Sequence, residues 1–574
     1  MSFDFLPTNR QEMAEKSWES VDIIIISGDA YIDHPSFGPA LIGRFLEANG
    51  FKVAIIPQPD WHKDEDFFVC GKPNLFFGIT AGNMDSMIAN YSSEKHRRKE
   101  DEYSEKGEAG KRPDRAVIVY SNMIKKLFPG TPIIVGGIEA SLRRLTHYDY
   151  WSDNIRRSIL FDSRADLLVY GMAEKAITEA AHRLRHLQTL RGIKNTAYIA
   201  DPDYYAHQDH VELPAHEDIL NDSVLLLKAT INYERECAKR YPQTIIQRCQ
   251  GKAIIIEPPD ALSSDELDNI YELPFIRQAH PRYKHPVPAF GFVKNSVVSH
   301  RGCYGGCSFC TLNMHQGKYI ISRSYGSIIN EIKNVIMKQP DFTGHILDIG
   351  GPSANMYGHT CISNQGCTRV SCVYPVICPN MNMDFQKQLK LLDDIRRLPG
   401  IKNVFINSGI RYDLALQNNK YIEQLARYHV SGQLSIAPEH CSEKVLKIMH
   451  KPSFGKYLDF LKQFETANKR YNKEQYVIPY FIASHPGCTL NDMYELALYM
   501  KKNNLRVKQV QNFIPIPMTL SAAMYYSERD PETSKHIHVA KGEERLWQRA
   551  LLQPWLKINQ KNVSKALQKI GKKL

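Results

Sequence analysis

The chain has 574 residues, 43% of them hydrophobic and 24% charged, with a formal net charge of +11. Those proportions suit a globular protein of about three or four domain-sized units and exclude collagen-like or disordered chains. Mean hydropathy is −0.39, and no apolar run reaches the ~20 residues of a membrane-spanning helix. The opening MSFDFLPTNRQEMAEKSWES has neither the basic start nor the apolar core of a secretory leader. A cytoplasmic protein with no membrane partner is expected.

A β/α alternation begins at residue 21. VDIIIIS (21–27) reads as a buried parallel strand, SFGPALIGRFLEANG (36–50) as a helix stopped by glycine, and FKVAIIP (51–57) as the next strand. Residues 74–79, 131–137 and 166–172 continue the pattern. The prediction is an α/β fold: a doubly wound, Rossmann-like sheet over 15–190 whose ligand-binding loops gather at the strand C-termini. The charged run 92–115 interrupts it and is expected as a mobile, solvated insertion or lid. Residues 191–288 are expected as a connector, with a helix at 223–241 and a strand at 251–259.

A second series runs from 289 to 530. Its strands are expected at 293–300, 344–351, 401–409, 432–440, 475–485 and 507–517, with helices such as 325–338, 385–398 and 491–504 between them. Six strand–helix units suit a partial (β/α)6-type barrel with its site at the C-terminal strand ends. Residues 531–574 form a basic helical tail. From Lys535 onward the tail has ten Lys or Arg against Glu543 and Glu544. It reads as a solvated face, with a nucleic-acid contact as the alternative.

Twelve cysteines in a reducing compartment point to metal or cofactor ligands rather than disulfides, and seven lie between Cys303 and Cys378. RGCYGGCSFC places Cys303, Cys307 and Cys310 on one loop after the first barrel strand. Three thiolates can hold a [4Fe-4S] cluster with one iron open to another ligand, whereas an electron-transfer cubane takes four. The alternatives are a zinc site short of a ligand, or three unrelated thiols. Cys361, Cys367, Cys372 and Cys378 form a second group. It is a candidate auxiliary iron–sulfur cluster or zinc site, although it lacks the C-x2-C knuckles of common zinc modules, and the alternative is a reduced, loop-bound set with one or two core cysteines.

The first spacing resembles the signature of radical S-adenosylmethionine (SAM) enzymes. VGGIEASLRRLTHYDYWSD (135–153), the DIGGPSANMYG run (348–358), SCVYPVICP (371–379) and QYVIPYFIASHPG (475–487) further resemble the YgiQ family of that superfamily. The resemblance implies a [4Fe-4S] cluster on Cys303, Cys307 and Cys310 whose open iron binds SAM. It also implies reductive cleavage to a 5′-deoxyadenosyl radical that abstracts hydrogen from a substrate the family does not specify. It implies a backbone contact to SAM at Gly350 and Gly351 and an adenine neighbour at Phe309. Ser408, Arg411 and Glu439 are its candidate ribose and carboxylate partners, with structural hydrogen bonds or ion pairs as the alternative. A one-electron donor of the flavodoxin or ferredoxin type follows as a partner. The competing class is a non-catalytic iron–sulfur or SAM-binding sensor.

The N-terminal sheet invites comparison with cobalamin-binding domains, but Asp33-His34 followed by Gly38 does not make the D-x-H-x-x-G motif of those that bind cobalamin through a histidine, which leaves attachment without a histidine ligand as the alternative. The polar set Glu139, Arg143, Arg144 and His147–Trp151 could touch substrate or be structural, and the structural role is favoured. His300, His440 and His485, at barrel strand ends, read as structural.

Overall fold

Four consecutive isoleucines, Ile23–Ile26, are buried on both faces of the first strand, as an interior parallel strand requires. In the computed structural model, which describes residues 4–205, 209–363 and 366–574, that strand is the hinge of a nine-stranded sheet. Its members in chain order are β1 (Ile23–Ser27), β2 (Val53–Pro57), β3 (Phe76–Thr80), β4 (Ile133–Gly136), β5 (Leu167–Val169), β6 (Thr196–Ala200), β7 (His210–Leu213), β8 (Thr244–Cys249) and β9 (Lys252–Ile256). The spatial order is β7-β8-β9-β6-β5-β4-β3-β1-β2. Strands β2-β1-β3-β4-β5 are parallel, which is the doubly wound order with its switch point between β1 and β3. Helix α1 (Gly38–Ala48) connects β1 to β2, with Pro39 in its first turn and Gly50 in a left-handed conformation after it.

Two expectations are corrected here. Residues 191–288 are not merely a connector, because β6 to β9 extend the N-terminal sheet, with antiparallel pairing from β5 to β6, β6 to β9 and β9 to β8. β7 and β8 pair in parallel across a helical connection that includes Ser223–Cys237, while β8 and β9 form a tight antiparallel hairpin, so the membership of these short strands in the sheet is set by tertiary pairing. The 92–115 run is not a mobile lid. Its opposite charges pair with one another and with the sheet: Arg112, fully buried, sits 2.8 Å from Asp29 and 3.1 Å from Asp101. Tyr91 Oη and Asn90 Nδ2 donate to Asp114.

The second compact unit consists mainly of residues 295–313 and 317–574. Its strands are β10 (Ser296–Val298), a split second strand β11 (His345–Ile346) and β12 (Asp348–Gly350), β13 (Asn403–Val404), β14 (Gln433–Glu439), β15 (Tyr476–Ala483) and β16 (Gln511–Asn512). All six predicted strand positions are present, paired in parallel as β10-β12, β11-β13 and β14-β15-β16. Among the described residues no ladder joins β13 to β14. Helix α2 (Leu490–Lys502) follows β15, and two tail helices, α3 (Glu543–Leu551) and α4 (Gln560–Ile570), pack against it. Gln548 on α3 accepts from the Ser484 amide at 2.9 Å and donates to the Cys488 carbonyl at 3.0 Å. The basic tail is therefore docked on the barrel unit through a buried amide side chain. No helix of the described residues is long and apolar enough to cross a membrane.

Candidate functional site

The three-cysteine loop leaves the short strand segment His300–Arg301 through Gly302, whose φ is +90°. A Cβ there would stand 2.1 Å from the Tyr319 carbonyl oxygen, so only glycine lets the loop start. The Cys303 amide donates to Gly317 O at 3.0 Å, Cys310 to Cys307 O at 3.1 Å, and Ser308 to Met449 O at 3.1 Å. Ser308 Oγ also donates to Ile448 O at 2.9 Å. The loop is thus fixed from several sides before any ligand arrives.

Cys303, Cys307 and Cys310 lie within electrostatic reach of one another. Burial pushes the Cys310 thiol up to about 12, and the neighbouring Cys307 and Cys303 add to the rise. Burial raises Cys303 too. Two buried cations face the set. Arg411 Nη1 donates to Cys307 Sγ at 3.6 Å while Nε and Nη2 hold Asp413 at 3.0 and 2.8 Å. Lys451 lies 3.6 Å from Glu439 and donates to Ala437 O at 2.7 Å. Among the described residues no three Cys, His, Asp or Glu side chains close on a single point as ligands of one ion would. Thiolates bound to separate irons of a cubane stand at its corners instead. Three soft thiolates beside buried cations therefore fit an anionic iron–sulfur cluster in donor chemistry and charge.

Beside this loop, the ends of β12 and β13 are packed closely. A Cβ on Gly351 would lie 2.6 Å from the His300 ring, and one on Gly350 would lie 2.1 Å from Ser408 Oγ. The Gly350 carbonyl accepts from the Ser299 amide at 2.7 Å. Ser408 donates its hydroxyl to Asp348, whose other oxygen accepts from the Asn407 and Ser408 amides at 2.8 and 3.0 Å. Phe309 meets His485 edge-on at 6.1 Å. Glu439 is buried with φ +70°, and burial raises its carboxyl above the ordinary range while Lys451 opposes the shift.

The strand-end histidines are buried. Burial lowers His300 and His485 to about 3 and His440 to about 4, so they stand neutral. The polar set after β4 is tied into the N-terminal unit: Glu139 accepts from the Ser86 and Val117 amides at 2.8 and 3.0 Å, and Tyr150 Oη donates to Ser93 O at 2.7 Å.

At the switch point between β1 and β3, where a sheet of this order binds its ligand, the chain's own side chains fill the crevice. Arg112 donates to Ala81 O and pairs with Asp29, the Asn83 amide donates to Asp29 at 2.6 Å, and Gln58 Nε2 donates to Gly28 O at 3.0 Å. The cleft beside Ser27, Asp29 and Tyr31 has no room for a water molecule. His34 is enclosed, its Nε2 3.0 Å from Arg277 Nη1. This crevice, as packed, leaves no space for a ligand beside Asp29.

The sequence reading missed Asp413, Lys451, Ser371 and Lys318. Asp413, two residues beyond Arg411, and Ser371, which opens the SCVYPVICP run next to Cys372, left a signal. Lys318 and Lys451 are brought in by loops with no motif of their own.

Comparison with known proteins agrees with this layout. The chain matches the model "Radical SAM N-terminal" over residues 5–296, "Radical SAM superfamily" over 297–500 and "Domain of unknown function (DUF3362)" over 508–573. A UPF0313 protein of Bacteroides thetaiotaomicron is 44% identical over 99% of this chain and 97% of its own. UPF0313 protein YgiQ of Escherichia coli K12 is 42% identical over 99% of this chain and 86% of its own. The chain belongs to the UPF0313 (YgiQ) family. This YgiQ-family protein is a radical SAM enzyme, with a [4Fe-4S] cluster and SAM as its cofactors. Among solved structures it is similar to TsrM of Kitasatospora setae, a radical SAM methyltransferase solved with cobalamin and a [4Fe-4S] cluster. The match has 14% identity and a TM-score of 0.49, and covers 87% of this chain and 73% of that one. A likeness so distant brings no ligand with it.

Proposed function

We propose that Cys303, Cys307 and Cys310 are the cluster ligands of this enzyme and that it abstracts hydrogen from an organic substrate. The supporting observation is the meeting of three thiols from one fixed loop with the buried cations Arg411 and Lys451. Three ligands, rather than four, leave one coordination position for SAM. When bound, the pair supplies one-electron cleavage of a carbon–sulfur bond in SAM.

The chain's own residues orient and enclose. Gly350 and Gly351 allow close backbone approach at the end of β12, and Phe309 places an aromatic ring within the loop itself, edge-on to His485. Arg411 steadies Cys307 and, with Asp413, keeps its charge fixed without solvent reorganisation. Glu439 and Lys451 form a second buried pair near Cys310. Ser408 acts through Asp348 and is assigned a positioning role.

The electron comes from a flavodoxin- or ferredoxin-type donor, and twelve unpaired cysteines suit a reducing cytoplasm. The docked tail, with Lys541 and Lys565 paired to Glu528 and Glu543, favours a structural role over nucleic-acid binding.

The test is 5′-deoxyadenosine formation by anaerobically reconstituted protein with SAM and a strong reductant, with cluster reduction verified by electron paramagnetic resonance. Product from the wild type and none from the C303A/C307A/C310A variant is expected. A reduced cluster with bound SAM and no product under any donor would favour the sensor class.

A further inference from the structure

The second cysteine group has a cation built into it. Lys318 is 5% exposed, and its Nζ lies 3.5 Å from Cys367 Sγ and donates to Arg369 O. Among the described residues no carboxylate lies within ion-pair distance of it. A buried ammonium without an anion is costly, and the nearby groups able to supply negative charge are thiols. Cys372, itself buried, is within electrostatic reach of Lys318, Cys378, Cys367 and Cys361.

Backbone contacts draw the ends of this segment together. Cys361 pairs with Met381 in a short antiparallel ladder, the Met381 amide donates to Cys378 O at 3.1 Å, and the Cys378 amide donates to Cys372 O at 2.8 Å. Arg369 holds the turn between them, donating to Ser371 O at 3.1 Å and Val376 O at 2.6 Å.

We propose that Cys361, Cys367, Cys372 and Cys378 bind a second, closed [4Fe-4S] cluster, with Lys318 as its buried counter-charge. Spacings of five, four and five residues between the thiols, without a C-x2-C knuckle, suit cluster corners better than the tight tetrahedron of a structural zinc. With four protein ligands no iron is left for substrate or SAM, so the chemistry of this centre is confined to taking up and releasing an electron. Its loop is bonded to the first: the Cys372 amide donates to Tyr304 O, and Ser371 Oγ donates to Gly305 O.

The test reads metal and sulfide, so it is independent of SAM cleavage. The C303A/C307A/C310A variant, reconstituted anaerobically and checked for fold by circular dichroism, is expected to retain about four iron and four acid-labile sulfide per chain. The C367S/C372S variant, with the first site intact, is expected to fall from about eight iron to about four. Lys318→Gln in the triple-alanine background is expected to lower the midpoint potential of the remaining cluster, because a positive charge favouring the reduced form is lost. Complete loss of iron and sulfide from a folded triple-alanine protein would overturn the proposal. So would stoichiometric zinc without sulfide, or a C367S/C372S variant with unchanged iron.

Discussion

The amide of Cys372 donates to the carbonyl oxygen of Tyr304 at 3.0 Å, joining the second cysteine loop to the first between Cys303 and Cys307. Ser371 reinforces the joint, since its Oγ donates to Gly305 O at 2.7 Å and accepts from the Tyr374 amide at 2.9 Å. Ser371→Ala removes a buried donor from a carbonyl and an acceptor from an amide. A stability loss of about 1–3 kcal/mol is expected, read as a lower melting temperature, together with faster loss of cluster iron to a chelator. Unchanged values would show that the two loops are held by other contacts.

Arg411 links Cys307 to Asp413. Burial raises the Asp413 carboxyl, but the adjacent guanidinium more than offsets this and holds it below the usual range. Arg411→Ala leaves that buried carboxylate without its hydrogen-bonded partner, so a loss of about 3–5 kcal/mol is expected. Arg411→Lys keeps a charge but not the two-pronged geometry, and is expected to fold with an altered electron paramagnetic resonance signal for the reduced cluster. A wild-type spectrum from the lysine variant would remove Arg411 from the cluster environment.

Gly351→Ala forces a methyl to within 2.6 Å of the His300 ring. Overpacking of this kind costs about 1–3 kcal/mol, and the displaced strand end is expected to weaken SAM binding at least tenfold with iron content unchanged. Equilibrium dialysis with labelled SAM measures it. Wild-type affinity would move the SAM site away from this strand.

Five barrel histidines are kept neutral by burial: His359, His429 and His440 are lowered to about 4, and His300 and His485 to about 3. An unfolded chain protonates them near 6.5, so below that pH it binds protons that the native chain does not. Their stabilising contribution is complete above about pH 6.5 and is lost as pH falls toward 4. Each histidine accounts for about 1.4 kcal/mol per pH unit in that window. Melting temperatures should drop steeply between pH 6.5 and 5. A flat profile would contradict the neutral buried state.

With Arg112 seated between Asp29 and Asp101, the N-terminal sheet is expected to retain no cobalamin through gel filtration after incubation with hydroxocobalamin. Arg112→Ala should destabilise the protein by about 3–5 kcal/mol by stranding two carboxylates. Stoichiometric cobalamin on the wild type would show that the crevice opens.

The isoleucine run of β1, the glycine stop of α1 and the six strand–helix units of the barrel were legible in the sequence, because periodicity and burial demand are local properties. The thiol spacing of Cys303, Cys307 and Cys310 was legible for the same reason, since all three thiols lie on one loop. Residues 191–288 hid their place in the sheet, because short strands of mixed direction at a sheet edge are chosen by their partners rather than by a local period. The 92–115 run looked solvated because its charges could be counted but not paired. Only the folded chain shows that Arg112 closes the switch point with Asp29. Likewise, only the fold brings Lys318 to Cys367, and Asp413 and Lys451 to the first thiol loop. A long-range ion pair depends on two distant segments meeting in space, and neither segment carries a record of the other.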